Sequence, residues 1–293
     1  MKIGVFDSGF GGLTILKQIR AVLPEYDYLY LGDNARAPYG TRSFECIYRY
    51  TLEAVQYLFD HDCALVILAC NTASAKALRT IQQNDLPVIN NLSVSDRARS
   101  LSSLPVGDRG PRNVLGVIRP TVEVVPSLTH TKHVGVLATQ GTVASDSYRI
   151  ELLKQDPSLI ITQQACPMWV PLIEAGEHYS EGAKYFIQKY LQQLIDRDPL
   201  IDTILLGCTH YPLIKPAIDA ALSTRQGEPV TTIAQGEIVA NSLADYLRRH
   251  PEYETQLARG ASCCYLTTDD AARFEQAATL FLGTPIQASH VEY

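Results

Sequence analysis

ILACNTASA, residues 67–75, runs off an apolar segment onto a cysteine and then turns small and polar. TILLGCTHYPL, residues 203–213, repeats that arrangement later in the chain. In both places an aliphatic, strand-like run delivers a cysteine to the next turn. Asn71 and Thr72 follow Cys70, and Thr209 and His210 follow Cys208. A buried strand that passes at once into a turn and a helical pattern is the repeating unit of an α/β fold.

The unit recurs along the chain. Apolar runs at 2–7, 26–33, 64–70, 86–90, 133–139, 159–166, 202–208 and 228–234 read as strands, and ASCCYLTT at 261–268 reads as another. Between them lie amphipathic stretches at 12–24, 41–61 and 180–197. The first puts Leu13, Leu16, Ile19, Ala21 and Leu23 near one helical face. Nearly continuous apolar strands alternating with helices indicate parallel sheets covered on both sides. The segment 91–115 is rich in Ser, Arg, Gly and Pro and has weak periodicity, so it reads as a long loop or insertion. HVGVLATQGTVAS, residues 133–145, then restarts the strand–turn–helix pattern. The expectation is an α/β protein of two doubly wound domains with mainly parallel sheets. Each domain carries one of the paired cysteines, and the active site lies in the cleft between them.

Composition narrows the class. The chain has 293 residues, 46% hydrophobic and 19% charged, enough to bury one large or two medium cores. A net charge of −6 gives no electrostatic footprint for nucleic acid or an anionic membrane. Arg97, Arg99, Arg109 and Arg112 form the one basic cluster, in the loop-like segment. No apolar stretch approaches the roughly 20 residues of a membrane span. MKIGVFDSG at the start reads as a strand running into glycine rather than a signal peptide. The seven cysteines are odd in number and fit no zinc spacing, so reduced thiols in the cytoplasm are expected, with no metal.

In open α/β sheets, ligands bind beyond the carboxyl ends of the strands. Polar residues and glycines gather there: Asp7-Ser8-Gly9, Gly32-Asp33-Asn34 leading to Tyr39-Gly40, Cys70-Asn71-Thr72, Thr139 to Thr142, and Cys208-Thr209-His210. A cysteine at a helix N-terminus meets unpaired N–H groups that favour the thiolate and lower its pKa below about 8.5. The same N–H groups, with the hydroxyls of Ser8, Thr72 and Thr209, can hold a carboxylate. Asp7 and His210 lie beside the cleft as groups able to move or orient protons.

Cysteine is often simply buried. Cys46, Cys63 and Cys166 read as core from their apolar neighbours, and of Cys263 and Cys264 one points in and one out. Asp33 reads equally as a turn cap, and Glu174 as a solvated helix residue. The glycines of DSGFGG lack the third glycine of a dinucleotide fingerprint, and there is no P-loop. Two thiols on opposing domains could form a redox pair, bind a soft metal or flank a small substrate. A metal usually takes three or four ligands, and only His210 is an evident third. A redox pair more often has Cys-x-x-Cys spacing. Two acid–base groups on opposite faces of one carbon suit a racemase.

At these residues the sequence resembles the glutamate racemases of the aspartate/glutamate racemase superfamily. The matching stretches are GVFDSGFGGLTIL, LGDNARAPYGTRS, ACNTASA, ACPMWVPLIEAG and LGCTHYPLI, in the family's order across residues 4–214. The resemblance implies a cofactor-independent racemase that interconverts L- and D-glutamate and supplies D-glutamate for peptidoglycan in a bacterial cytoplasm. By motif position Cys70 and Cys208 are the acid–base thiols, Cys70 facing D-glutamate and Cys208 L-glutamate. Asp7 and His210 assist them. Asp7, Ser8, Tyr39, Gly40, Asn71, Thr72, Thr209 and His210 contact the amino acid, and Asp33, Thr142 and Glu174 are supporting candidates. The resemblance also implies two crossings between domains, giving a first domain of 1–117 plus 235–293, with the insertion at 91–115, and a second of 118–234.

Two departures stand out. The family passes almost directly from a PVI strand to a GVI-P segment, whereas here PVIN and GVIRP are separated by residues 91–115. TIAQGE carries Ala234-Gln235 where the family more often shows Asp-Ser or Asp-Pro, which weakens a ligand role there. The alternatives are a racemase for aspartate or another amino acid, and a noncatalytic amino-acid-binding protein. A homodimer is open, since no stretch identifies an interface.

Overall fold

The computed structural model describes residues 1–91, 110–224 and 229–293. Its strands, in chain order, are β1 (Lys2–Asp7), β2 (Tyr28–Gly32), β3 (Cys63–Leu68), β4 (Asn113–Gly116), β5 (His133–Ala138), β6 (Ile160–Ala165), β7 (Thr203–Gly207), β8 (Thr231–Ile233), β9 (Cys263–Thr267) and β10 (Ala288–His290). They form two sheets, ordered β10-β9-β2-β1-β3-β4 and β6-β5-β7-β8. Every pairing is parallel.

The central strands show why. Every residue of β2, β3 and β7 is buried, as expected where helices cover both faces. Helix Phe44–Asp60 turns Ile47, Thr51, Ala54, Val55 and Leu58 inward at helical spacing. It starts where Ser43 accepts a hydrogen bond from the Cys46 N–H, at 3.2 Å. Helix Glu181–Arg197 repeats the design, with Ser180 as its cap and Ile187, Leu191 and Leu194 buried. Each fully buried Leu or Ile contributes about 1.5–3 kcal/mol relative to exposure. The first amphipathic stretch is helix Leu13–Val22, which buries Leu13, Leu16 and Ile19 as expected, but Ala21 faces solvent.

One expected strand is a helix. LPVIN at 86–90 belongs to helix Leu86–Asn91, which continues from a π-helical turn, Ile81–Asp85. Leu86 is buried while Val88 is 59% exposed, so the run has one buried edge rather than two buried faces. The strand beside β3 is β4 instead, in register from Leu65↔Asn113 to Leu68↔Gly116. The segment read as an insertion therefore ends in a sheet strand. Most of it, including Arg97, Arg99 and Arg109, lies outside the described residues. Arg112 is buried, its guanidinium 5.1 Å from the centre of the Phe59 ring, so it adds nothing to a basic surface. β10 was not anticipated. It is a three-residue edge strand with little buried surface and no apolar alternation.

After β4 the chain passes through helix Ile118–Val124 into the second sheet. It leaves that sheet after β8 through helix Gly236–Arg249, which packs against Leu13–Val22. Among the described residues no helix is long and apolar enough to cross a membrane. No group of three or more His, Cys, Asp or Glu side chains there is arranged to hold a metal ion.

Candidate active site

The carboxyl ends of the two sheets border one cleft of about 500 Å³, a usual size for a small-molecule site. The first sheet side supplies Ser8, Tyr39, Gly40, Cys70, Asn71 and Thr72. The second supplies Glu174, Cys208, Thr209 and His210. Each cysteine is 6% exposed.

Cys70 follows β3 and caps helix Asn71–Lys76, its sulfur accepting from the Ala73 N–H at 3.5 Å. The Ser8 hydroxyl, just beyond β1, lies 3.3 Å from the same sulfur. Burial first, and Asp7 second, push the Cys70 thiol up to about 12 against the pull of Ser8 and Ala73. The helix-start argument anticipated a lowered value, but desolvation outweighs the N–H groups here. Asp7 lies behind the cleft wall, 1% exposed. The Gly9 N–H donates to its Oδ2 at 2.9 Å, and its Oδ1 has no partner among the described residues. Burial raises its carboxyl above the usual range.

Cys208 follows β7. His210 Nδ1 faces its sulfur at 3.9 Å, and His210 Nε2 is 2.8 Å from Glu174 Oε1. Burial opposes a charge on His210, but Cys208 and Glu174 outweigh it and push the imidazole up to about 10. Glu174 ends helix Trp169–Glu174; it is solvent-exposed, as the sequence reading allowed, and it also bonds His210.

Two glycines set the approach of the walls. A Cβ on Gly11 would lie 2.2 Å from Thr209 Oγ1 and 2.3 Å from His210 Nδ1. Gly11 of DSGFGG thus admits the second sheet's loop, while Gly12 lets its own turn pack on Asp7 and Ala69. A Cβ on Gly141 would lie 2.6 Å from the Gly40 carbonyl oxygen. Thr14 Oγ1 adds a tie, 2.9 Å from both the Gly11 and the Thr209 carbonyl oxygens.

The remaining candidates divide. Thr72 Oγ1 lies 3.1 Å from Thr139 Oγ1 and 3.3 Å from Thr142 Oγ1, a hydroxyl cluster joining the two sheets' strand ends. Thr142 is fully buried within it. Asp33 is also fully buried, and its carboxylate accepts from Arg36 Nε at 2.6 Å, Thr268 Oγ1 at 2.9 Å and the Tyr39 hydroxyl. Asp33 therefore holds the 34–41 loop that carries Tyr39 and Gly40, and stands outside the cleft.

Thr139, at a strand end singled out in the sequence, caps helix Gln140–Ala144 and lines the cleft. Sequence reasoning passed over other residues. Cys166, read as core, is buried but also forms cleft wall, while Cys46, read the same way, is partly exposed. Asp269 and Arg273 line the cleft beyond the end of β9, where the strand-end rule applied to ASCCYLTT would have found them.

A profile of the Asp/Glu/Hydantoin racemase family matches residues 13–243. The chain is 38% identical to a glutamate racemase of Ruegeria sp. (strain TM1040), over 96% of this chain and 97% of that one. Among solved structures it is similar to a glutamate racemase isoform of Bacillus anthracis, with a TM-score of 0.82 and 32% identity over 99% and 97% of the two chains. It is also similar to a glutamate racemase of Francisella tularensis in complex with D-glutamate, with a TM-score of 0.81 and 30% identity over 100% and 97%. Profile and near-full-length relatives agree, and the chain belongs to the Asp/Glu/Hydantoin racemase family.

Proposed function

We propose that this protein interconverts L- and D-glutamate by direct proton transfer, with Cys70 and Cys208 as the two acid–base thiols. The observation that carries the reading is their placement: each ends a strand of a different sheet, and both line one cleft. The bound D-glutamate of the Francisella tularensis relative supports the choice of substrate.

In one direction the Cys208 thiolate takes the α-proton of L-glutamate while the Cys70 thiol delivers its proton to the opposite face. In the other direction the roles reverse. Burial and Asp7 favour the protonated Cys70 thiol, the form in which it starts the L-to-D direction. The protonated His210, held by Glu174, serves Cys208 as a neighbouring proton donor. Ser8 and the Ala73 N–H stabilise the Cys70 sulfur once it has given up its proton. Asn71, Thr72 and Thr209 hold the amino acid, and Tyr39 and Gly40 close the wall from the Asp33-braced loop. Together, proximity and electrostatic stabilisation must lower the barrier by on the order of 8 kcal/mol or more.

The same reading divides the chain into one domain of 1–117 plus 235–293 and another of 118–234, with glutamate at their junction. It places the enzyme in a bacterial cytoplasm, where D-glutamate is built into peptidoglycan.

Circular dichroism of L-glutamate with purified protein and no pyridoxal phosphate tests the proposal. Decay of the signal to zero in D₂O, with deuterium appearing at the α-carbon, is the expected result. Unchanged glutamate alongside racemised aspartate reassigns the substrate. Stoichiometric binding without α-proton exchange indicates a noncatalytic binder.

A further inference from the structure

Asn71, Gln235 and Tyr148 form a closed ring of hydrogen bonds. Asn71 Nδ2 donates to Gln235 Oε1 at 2.7 Å, Gln235 Nε2 donates to the Tyr148 hydroxyl at 2.8 Å, and that hydroxyl donates to Asn71 Oδ1 at 2.5 Å. The three side chains are 3%, 2% and 0% exposed, respectively. In so buried a setting, bonds that run in one direction round a ring reinforce one another, and a missing member leaves costly unpaired groups.

The ring leaves one polar hydrogen over. Tyr148 occupies Asn71 Oδ1 and Gln235 takes one hydrogen of Nδ2, so the second hydrogen of Nδ2 remains to meet a ligand. Asn71 lines the cleft, and Gln235 does not. Gln235 reaches further through Nε2, to Thr121 Oγ1 at 3.1 Å and the Val117 carbonyl oxygen at 3.3 Å. Thr121 in turn donates to that carbonyl at 2.7 Å. Val117 stands where the chain leaves the first sheet, and Gln235 where it leaves the second. One amide therefore ties both crossings to the residue beside Cys70.

We propose that Gln235 is a positioning residue. It fixes the rotamer and the donor direction of the Asn71 amide, so that Asn71 presents a single N–H to the substrate next to Cys70. This rests on the reading that the cleft binds glutamate, and it gives a role to the Ala234-Gln235 departure noted in the sequence.

The test compares wild type with Gln235→Met, Gln235→Glu and Tyr148→Phe, using glutamate racemisation and thermal unfolding. Gln235→Met keeps the volume but removes every hydrogen bond. It is expected to raise KM about tenfold, with a smaller change in kcat. Tyr148→Phe, which releases the Asn71 amide at Oδ1 rather than at Nδ2, raises KM in the same sense. Gln235→Glu keeps an acceptor for Asn71 and recovers part of the loss. KM and kcat within twofold of wild type in Gln235→Met would overturn the positioning role, and so would a fall in kcat alone that tracks the folded fraction. Wild-type protein that neither racemises nor binds glutamate would overturn the parent reading instead.

Discussion

Glu174 Oε1 lies 2.8 Å from Nε2 of His210, and the other nitrogen of that ring faces the Cys208 sulfur at 3.9 Å. The imidazole is thus held between two acceptors, and its pKa rises from 6.5 to about 10 despite burial. Raised in the folded state, it contributes stability that is full below about 6.5 and fades as pH rises through about 10.

Glu174→Gln removes one of the two groups that hold the charge. His210 then loses its proton at lower pH, and the alkaline limb of kcat/KM moves down. A pH–rate profile of the variant checks this. An alkaline limb identical to that of wild type would show that His210 does not serve Cys208.

Gly11→Ala places a methyl group against Thr209 Oγ1 and His210 Nδ1. Overpacking of this kind costs about 1–3 kcal/mol. Because the clash falls on the histidine beside Cys208, kcat/KM is expected to fall at least about tenfold while the protein stays folded. Thermal unfolding and steady-state kinetics on one preparation separate the two effects. Wild-type kinetics would mean that the loops yield freely and that their close approach has no part in the site.

Asp7→Asn replaces a carboxyl whose charge burial disfavours with a neutral group of the same shape. The Gly9 N–H keeps an acceptor, since the amide oxygen can take the place of Oδ2. The melting temperature is expected to hold or rise, with a loss of kcat/KM of about tenfold or more if Asp7 assists Cys70. A melting temperature that drops sharply together with activity would make Asp7 a structural residue.

The sequence displayed the cleft well because strand ends carry its chemistry. β1, β3, β5 and β7 are short apolar runs that stop at polar residues, and the covered sheets make those runs unmistakable. LPVIN misled because a short apolar run has no period of its own, and only the exposure of Val88 separates helix from strand. Asp33 stayed open between two readings for a related reason. A carboxylate at a strand end looks the same whether it faces a substrate or, as here, Arg36, Tyr39 and Thr268. Gln235 was out of reach, because its partners lie 87, 114, 118 and 164 residues away in the chain.

The most direct test of the two-thiol account uses Cys70→Ser and Cys208→Ser with both enantiomers of a glutamate analogue bearing a β leaving group. Serine is a far weaker base than a thiolate, so each variant should lose racemisation by several orders of magnitude. The remaining thiol still abstracts the α-proton on its own face, and loss of the leaving group then reports that step without any need for reprotonation. The account predicts elimination from the L form only in Cys70→Ser and from the D form only in Cys208→Ser. Elimination from both enantiomers in either variant would contradict it and make Asp7 or His210 a direct base.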